Sequence, residues 1–341
     1  MKITVIVCTY NRCQSLAKAL ASIAAQAIPA AWAWEVLVVD NNSKDQTRQV
    51  VEEFRCKHPG RFRYLFELQQ GLSHARNAGV REAHGDILAF VDDDVIAEPT
   101  WLQNLTADLH DGEWAGSGGR VLPEQTFLPP RWLPIEGRYA LAPLSIFDAG
   151  PNACHLTEPP FGANMAFHKK MFEKYGCFRT DLGRCAESML SNEDTEFGRR
   201  LMAAGERLRY EPSAVVYHPV PMSRLQKSYF LTWWFAKGRS DIRQFGVPPD
   251  TKWHVAGIPL VFLRRSAVSL LRWMVAVEPS RRFSRKLTAS KALGAVLECF
   301  RQRRDRNLPQ SPRKHPAYLE CLGGALSVRT RPREARDNRL P

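Results

Sequence analysis

Short apolar runs alternate with segments of helical periodicity through the first ninety-odd residues of the chain. The apolar runs are Lys2–Cys8, Trp34–Val39, Phe62–Glu67 and Asp86–Val91. The helical segments are Ser15–Ala27, Thr47–Lys57 and Leu72–His84, the last with Ser73 as its N-terminal cap. Parallel strands need a crossover segment between them, usually a helix. The alternation therefore predicts an α/β fold, Rossmann-like, with a mainly parallel central sheet.

Three of the predicted strands end in polar clusters, and in such sheets ligands bind beyond the carboxyl ends of the strands. The run DILAFV ends in three adjacent aspartates, Asp92, Asp93 and Asp94. Adjacent carboxylates repel one another and are costly to desolvate. An acidic surface turn would explain them, and so would a cation site. The convergence of three polar clusters at the strand ends favours the ligand site.

A nucleotide in this fold would have to be held by side chains. No G-x-G-x-x-G follows the first strand, and no G-x-x-x-x-G-K-[ST] occurs in the chain. Asp40, at the end of the second predicted strand, is placed to accept from a uracil N–H or a ribose hydroxyl. A helix-cap or turn role for Asp40 is equally consistent with its local sequence.

Charge and cysteine content restrict the partners and the compartment. The chain of 341 residues has a net charge of +13, and residues 264–306 contain twelve Lys/Arg against three Asp/Glu. This bias favours an anionic partner, either nucleic acid or a membrane surface. The eight cysteines form no C-x-x-C pair, and the opening MKITVIVCTYNR lacks the features of a signal peptide. We therefore expect a cytoplasmic protein with free thiols.

The middle of the chain has Pro-rich loops and fewer regular elements. We predict helices at Met165–Tyr175 and Asn192–Ala204 and a short strand at Ala214–Tyr217, followed by His218. Glu193 and Asp194 fall in the first turn of the second helix. Stabilisation of the helix dipole is a common reason for acids at that position.

Several ordered motifs between Lys2 and about Met222 resemble the family-2 glycosyltransferases of the GT-A fold. They are TVIVCTYNR, VLVVDNNSKDQT, GLSHARNAGV, ILAFVDDDV, FGANMAFHKKMF, NEDTEFGRRLMAAG and VVYHPV. The resemblance implies an inverting, metal-dependent transfer of sugar from a nucleotide diphosphate, most simply a UDP-sugar, to an acceptor hydroxyl. A saccharide or lipid-linked acceptor in polysaccharide or glycolipid biosynthesis would fit.

The resemblance also implies roles for individual residues. Asp92 and Asp94, which share one face of an extended segment, would hold Mg²⁺ or Mn²⁺ with His218. Asp92 would also contact the ribose, and Asp93 would point away and support the donor site. Asp194 would be the catalytic base, with Glu193 orienting it or binding acceptor. The other donor-binding residues would be Thr9, Tyr10, Asn11, Arg12, Asp40, Arg76, Asn77, Gly162 and Asn164.

The C-terminal third is basic and helical in character. Three arginines interrupt the apolar stretch 257–277, and a centred arginine costs roughly 2.5–3.5 kcal/mol on insertion scales, so a membrane span is not expected. At helical spacing Arg264, Arg265 and Arg272 lie on one side, opposite Leu271 and Met274. Such a helix would lie in an anionic membrane surface, at the inner face of the cytoplasmic membrane. A helix packed on the catalytic domain with a solvated basic face is the alternative.

These patterns predict how the chain is divided into regions and favour an enzymatic function. We expect a GT-A domain at 1–222, a basic helical region at 223–306 and a disordered tail at 307–341. No nucleic acid is expected, because no recognised binding motif accompanies the charge. A basic nucleic-acid-binding protein and a catalytically inactive sugar-nucleotide-binding protein remain the alternatives to an enzyme.

Overall fold

The computed structural model describes residues 1–135, 140–185, 188–247, 253–255 and 258–304. The strands are β1 Lys2–Thr9, β2 Ala33–Asp40, β3 Phe62–Phe66, β4 Ile87–Asp92, β5 Ile96–Ala97, β6 Gly116–Pro123, β7 Cys154–His155, β8 Asn164–His168, β9 Leu208–His218, β10 His254–Val255 and β11 Ile258–Pro259. The helices are α1 Cys13–Ala24, α2 Thr47–Lys57, α3 Leu72–Glu82, α4 Trp101–Thr106, α5 Lys169–Tyr175, α6 Glu193–Ala203, α7 Lys227–Phe245, α8 Leu260–Val275 and α9 Pro279–Arg304. The predicted tail at 307–341 lies outside the described residues.

One large sheet carries the fold, with strand order β3-β2-β1-β4-β8-β6-β9-β5 and β7 paired to β9. Strands β3, β2, β1 and β4 are parallel, as are β6 and β9. Strand β8 is antiparallel to both of its neighbours, β4 and β6. The predicted α/β fold with a mainly parallel central sheet is therefore confirmed, and the antiparallel β8 joins its two parallel parts.

The middle residues of the central strands are mostly apolar and buried, as expected where layers of the fold cover both faces of a sheet. Val5, Val7, Val36 and Val38 are fully buried, as expected for strands of a covered parallel sheet. Burying one such side chain stabilises the fold by about 1.5–3 kcal/mol. The sheet therefore holds the polar ends of β1, β2 and β4 at one rigid edge.

The prediction of a single helix at Met165–Tyr175 is wrong. Its first part is strand β8, Asn164–His168, and the helix begins only at Lys169. The first four residues of β8 are buried because the strand lies between β4 and β6. A buried central strand and a buried helix have the same apolar composition, so periodicity does not separate them.

Two smaller predictions also need correction. Ser73 does not cap α3, because the helix starts at Leu72 and the Ser73 hydroxyl donates to the Leu182 carbonyl at 2.8 Å. The strand predicted at Ala214–Tyr217 is the end of the longer β9, whose register with β6 shifts at Gly119/Arg120. Both differences arise from partners that are distant in sequence.

The C-terminal helices α7, α8 and α9 pack on one another, and α7 hydrogen-bonds to the segment before α6. Helices α7 and α9 approach closely, since a Cβ at Gly238 would overlap the carbonyl of Lys291, and one at Gly294 that of Phe235. Only glycine permits this backbone approach. No helix in the described parts of the chain is long and apolar enough to span a membrane.

Candidate active site

A cavity of about 680 Å³ lies beyond the carboxyl ends of β1 and β4 and is closed on its far side by α6 and α7. Most of the site residues predicted from the sequence form its wall. They are Thr9, Tyr10, Arg12, Arg76, Asp92, Asp93, Asp94, Gly162, Glu193, Asp194 and His218. Residues separated by more than 200 positions in sequence thus share one site.

The predicted metal ligands come together at one point of this wall. Asp92, Asp94 and His218 each offer one ligand atom, and these atoms lie within 4.8 Å of one another. Asp92 ends β4, Asp94 lies in the turn that follows, and His218 ends β9. Two carboxylates and an imidazole are a suitable ligand set for a hard or borderline divalent cation such as Mg²⁺ or Mn²⁺. The residues present therefore fit such an ion.

Asp93 lies outside this trio, as the alternation of side chains predicts. Its carboxylate is almost fully buried and contacts the Arg12 guanidinium at 3.1 Å. Arg12 also reaches Asp94 at 2.9 Å. Burial raises the pKa of Asp93 to about 7, and the charge of Arg12 opposes this rise. Asp93 thus positions Arg12 beside the three candidate metal ligands, Asp92, Asp94 and His218.

Arg224, which the sequence reasoning missed, contacts the trio from the segment after β9. Its Nη1 lies 3.2 Å from His218 Nε2, and its Nη2 lies 3.6 Å from an Asp94 carboxylate oxygen. Burial lowers the pKa of His218, and the charge of Asp94 opposes this fall. Burial thus favours the neutral imidazole, the form that ligates metals, and its Nε2 accepts from the Arg224 guanidinium in this structure. No motif marked Arg224, because the resemblance fades at that point.

Arg76 connects the two acidic motifs. Its side chain is 4% exposed, and its Nη1 lies 2.6 Å from Glu193. Its Nη2 lies 3.7 Å from Asp92 and donates to the Gly162 carbonyl at 3.2 Å. A buried cation needs anionic partners, and Arg76 has one from β4 and one from α6. It holds the end of β4 and the start of α6 at a fixed separation.

The two acids that begin α6 differ in their surroundings. Asp194 is half-buried, and its carboxylate accepts from the N–H of Gly162 at 2.7 Å and of Thr195 at 2.6 Å. Glu193 is buried, and burial together with the charge of Asp194 raises its pKa to about 7, against the effect of Arg76. Asp194 is therefore the more accessible acid, and its carboxylate is held in a fixed orientation.

Asp40 and Asn11 lie at strand ends but are not part of the cavity wall described above. The buried Asp40 carboxylate accepts from the Tyr64 hydroxyl at 2.8 Å and from the Ser43 N–H at 2.9 Å. Asn11 has a φ of 51°, and its side chain accepts from the Lys44 N–H at 2.7 Å. Both residues shape the turns beside the site, and their contact with a nucleotide stays a prediction.

Asn77 and Asn164 are buried away from the cavity wall. The Asn77 amide donates to the Phe178 carbonyl and accepts from the Phe178 N–H. Asn164 accepts from the Trp101 indole and donates to the carbonyls of Arg120 and Ala214. Their amides are used to join elements of the fold, which argues against the predicted donor contacts.

Helix α7 forms part of the cavity wall, which the sequence motifs did not predict. Its residues at the cavity are Trp233, Trp234, Lys237, Asp241, Gln244 and Phe245. A helix rich in aromatic and basic residues gives no distinctive pattern of its own. Only its packing against α6 and α9 identifies it as part of the site.

The chain is similar in sequence to known proteins. The family profile "Glycosyl transferase family 2" matches residues 4–176. The chain is 29% identical over 240 residues to the succinoglycan biosynthesis protein ExoM of Rhizobium meliloti, an alignment covering 70% of this chain and 72% of the relative. It is 26% identical over 281 residues to a glucosyl-dolichyl phosphate glucuronosyltransferase of Haloferax volcanii, covering 77% and 85% of the two chains.

Two solved structures show the same fold. The mannosyltransferase PcManGT from Pyrobaculum calidifontis, in complex with GDP-Man and Mn²⁺, has a TM-score of 0.51 at 20% identity and covers 95% of this chain and 79% of its own. GalNAc-T7, with UDP, GalNAc and Mn²⁺, has a TM-score of 0.52 at 15% identity and covers 70% and 50%. The fold is that of the GT-A glycosyltransferases, and with the profile match spanning half of its length the chain belongs to glycosyl transferase family 2.

Proposed function

We propose that this protein transfers a sugar from a nucleotide-diphosphate-sugar, UDP-linked, to a hydroxyl of a saccharide or lipid-linked acceptor with inversion of configuration. The observation that carries the proposal is the meeting of Asp92, Asp94 and His218 with Asp194 in one cavity. The names of relatives support an acceptor of this kind, since one acts in succinoglycan biosynthesis and another on a glucosyl-dolichyl phosphate. Polysaccharide or glycolipid biosynthesis is the corresponding role.

The reaction needs a positive centre beside the leaving diphosphate. Asp92, Asp94 and His218 would hold Mg²⁺ or Mn²⁺, and two proteins of the same fold contain Mn²⁺. Such a cation supplies charge that stabilises the departing phosphate oxygens. Arg12 and Arg224 contact the same trio and add fixed positive charge at its edge.

The acceptor hydroxyl must lose a proton as it attacks the anomeric carbon. Asp194 takes that proton, because its carboxylate lies in the cavity wall and its oxygens are oriented by two backbone N–H groups. Glu193, which is buried and paired with Arg76, holds the first turn of α6 instead. The more exposed Asp194 is thus assigned the role of base, and the buried Glu193 is assigned a structural role.

A nucleotide-sugar screen tests the donor class. We expect UDP-sugars to raise the melting temperature of the full-length protein in the presence of Mn²⁺, because a ligand that binds only the folded state stabilises it. The same donors with a chelator in place of Mn²⁺ are the control. If no nucleotide-sugar of any base shifts the transition, the proposed function is wrong.

We propose further that the protein docks on the cytoplasmic face of an anionic membrane through α8. The buried residues of this helix are Phe262, Ser266 and Ser269. Several of its other apolar side chains are exposed, among them Leu271 at 58% and Met274 at 60%. Arg264 and Arg272 on the same helix are also exposed. An exposed apolar stripe with flanking arginines supports membrane contact over the alternative of a helix packed through its apolar side.

The membrane proposal predicts the effect of one surface charge. Replacing Leu271 with glutamate should lower the partitioning onto phosphatidylserine vesicles by about tenfold, because burial of one leucine is worth about 1.5–3 kcal/mol. Leu128→Glu is the matched control, since Leu128 is 91% exposed and lies in a loop of the catalytic half. Truncation after residue 257 is unsuitable, because α9 carries Lys291 and Glu298, which form ion pairs with α7. Equal sedimentation of Leu271→Glu and the unaltered protein would rule out docking through α8.

A further inference from the structure

Asn192, the residue before Glu193, has an unusual backbone conformation. It is buried, with φ 85° and ψ 6°, in the left-handed region. Non-glycine residues rarely occupy this region, although asparagine tolerates it better than most. Such a conformation persists only where surrounding contacts enforce it. The start of α6 is therefore set by whatever holds Asn192.

Three hydrogen bonds that hold the Asn192 amide come from α7, and the hydroxyl of the adjacent Ser191 donates a fourth to Oδ1 at 3.3 Å. Its Nδ2 donates to Asp241 Oδ1 at 2.9 Å and to Gln244 Oε1 at 2.8 Å. Its Oδ1 accepts from Lys237 Nζ at 2.6 Å. Both N–H groups of the amide and its oxygen therefore form hydrogen bonds with side chains of α7.

The partners of Asn192 are themselves fixed. Asp241 pairs with Lys291 Nζ of α9 at 2.8 Å and lies 3.9 Å from Lys237 Nζ. The Ser191 N–H adds a hydrogen bond to Ser240 of α7 at 3.0 Å. Because α7 and α9 pack at backbone distance, this network is a rigid support for the two residues that precede the acid pair.

We infer that Asn192 is a positioning residue through which α7 fixes the first turn of α6, and with it the carboxylate of Asp194. The inference rests on the proposed role of Asp194 as the base. Asp194 is two residues from Asn192, and its hydrogen bonds to Gly162 and Thr195 require α6 to start at this point and in this direction. The C-terminal helices are on this account part of the catalytic apparatus, although the family profile ends at residue 176.

The variant Asn192→Gly tests the role of the side-chain amide without changing the backbone conformation. Glycine adopts positive φ without strain, so the variant keeps the backbone conformation and loses the side-chain hydrogen bonds to α7 and to the Ser191 hydroxyl. We expect donor turnover, measured as nucleoside diphosphate release from the UDP-sugar that the screen selects, to fall by about 10²-fold, the loss typical of a displaced catalytic group. The affinity for UDP with Mn²⁺ should stay unchanged, because Asn192 contacts none of the metal ligands in the structure.

The control removes an amide of the same size outside the cavity. Asn104 donates to the Ser213 carbonyl at 2.9 Å, and Asn104→Ala should keep full turnover. In the Asp194→Asn background, Asn192→Gly should cause no further loss, because groups that act as a unit are not additive.

Three outcomes contradict the inference: full turnover in Asn192→Gly, an equal loss of turnover and UDP affinity, or a further loss in the Asp194→Asn background. Full turnover in Asn192→Gly refutes the positioning role alone. Full turnover in Asp194→Asn refutes the proposed base as well.

Discussion

Replacing Asp194 with asparagine should lower turnover by about 10²–10⁴-fold, the usual contribution of a general base. Asparagine keeps the shape of the side chain, but it cannot accept the proton of the attacking hydroxyl. Its carbonyl oxygen retains one of the hydrogen bonds that the carboxylate now receives from Gly162 and Thr195, so α6 stays in place. Donor affinity should remain near its original value, because Asp194 is not among the three ligands that would hold the cation.

Glu193→Gln is the matched comparison, since it makes the same change one residue earlier. Glu193 is buried and contacts Arg76 at 2.6 Å, which gives it a structural part in the site. We expect its turnover to fall less than that of Asp194→Asn. Abolished turnover in Glu193→Gln beside an active Asp194→Asn would reassign the base to Glu193.

Replacing Arg76 with methionine should lower the free energy of unfolding by about 3–5 kcal/mol, the range for removal of one partner from a buried ion pair. Arg76 is 4% exposed and is the cation between Glu193 and Asp92. Methionine fills much of the space but leaves both carboxylates without their positive partner. Arg55→Ala is the control: Arg55 and Glu52 are 48% and 42% exposed, and such a surface pair is worth about 0–1 kcal/mol.

The decrease in the free energy of unfolding caused by Arg76→Met should depend on pH. Burial already raises the pKa of Glu193 to about 7, and removal of Arg76, which lowers that pKa, moves it further up. A carboxyl group whose folded pKa exceeds its unfolded value makes stability fall as pH rises from the unfolded pKa to the folded pKa. This fall ends near pH 7 in the unaltered protein but continues to higher pH in the variant. The deficit of the variant should therefore be larger at about pH 8 than at about pH 6. Urea-induced unfolding at the two pH values measures it, and an equal or smaller deficit at the higher pH would contradict the assignment of Arg76 to Glu193.

The parts of the fold that the sequence predicts are those in which each element carries its own local pattern. Strands β1, β2 and β4 are covered on both faces and end in polar residues, so their positions follow from composition alone. The sequence pattern predicts a helix where the structure has strand β8, because a short buried apolar run has no diagnostic period. Its identity depends on pairing with β4 and β6, which is a property of the whole sheet.

The same distinction holds within the site. The sequence predicts a group of metal ligands, Asp92, Asp94 and His218, because these residues lie in short motifs that occur in a fixed order along the chain. Arg224 has no such motif, and its role appears only from its 3.2 Å approach to His218. In the sequence Asn192 is only the first residue of the helix predicted at Asn192–Ala204, because its left-handed backbone and its contacts with α7 depend on the tertiary structure.

The most direct test of the account is calorimetric titration of the full-length protein with UDP, once with Mn²⁺ and once with a chelator. The central claim is that Asp92, Asp94 and His218 would hold a divalent cation, which would supply positive charge for the diphosphate. We predict at least about a tenfold weaker affinity with the chelator, since a contact to the cation worth about 1.4 kcal/mol already changes the affinity tenfold. Asp94→Asn should show the weaker affinity even when Mn²⁺ is present. Equal UDP affinity with Mn²⁺ and with chelator would contradict the metal site and the mechanism built on it.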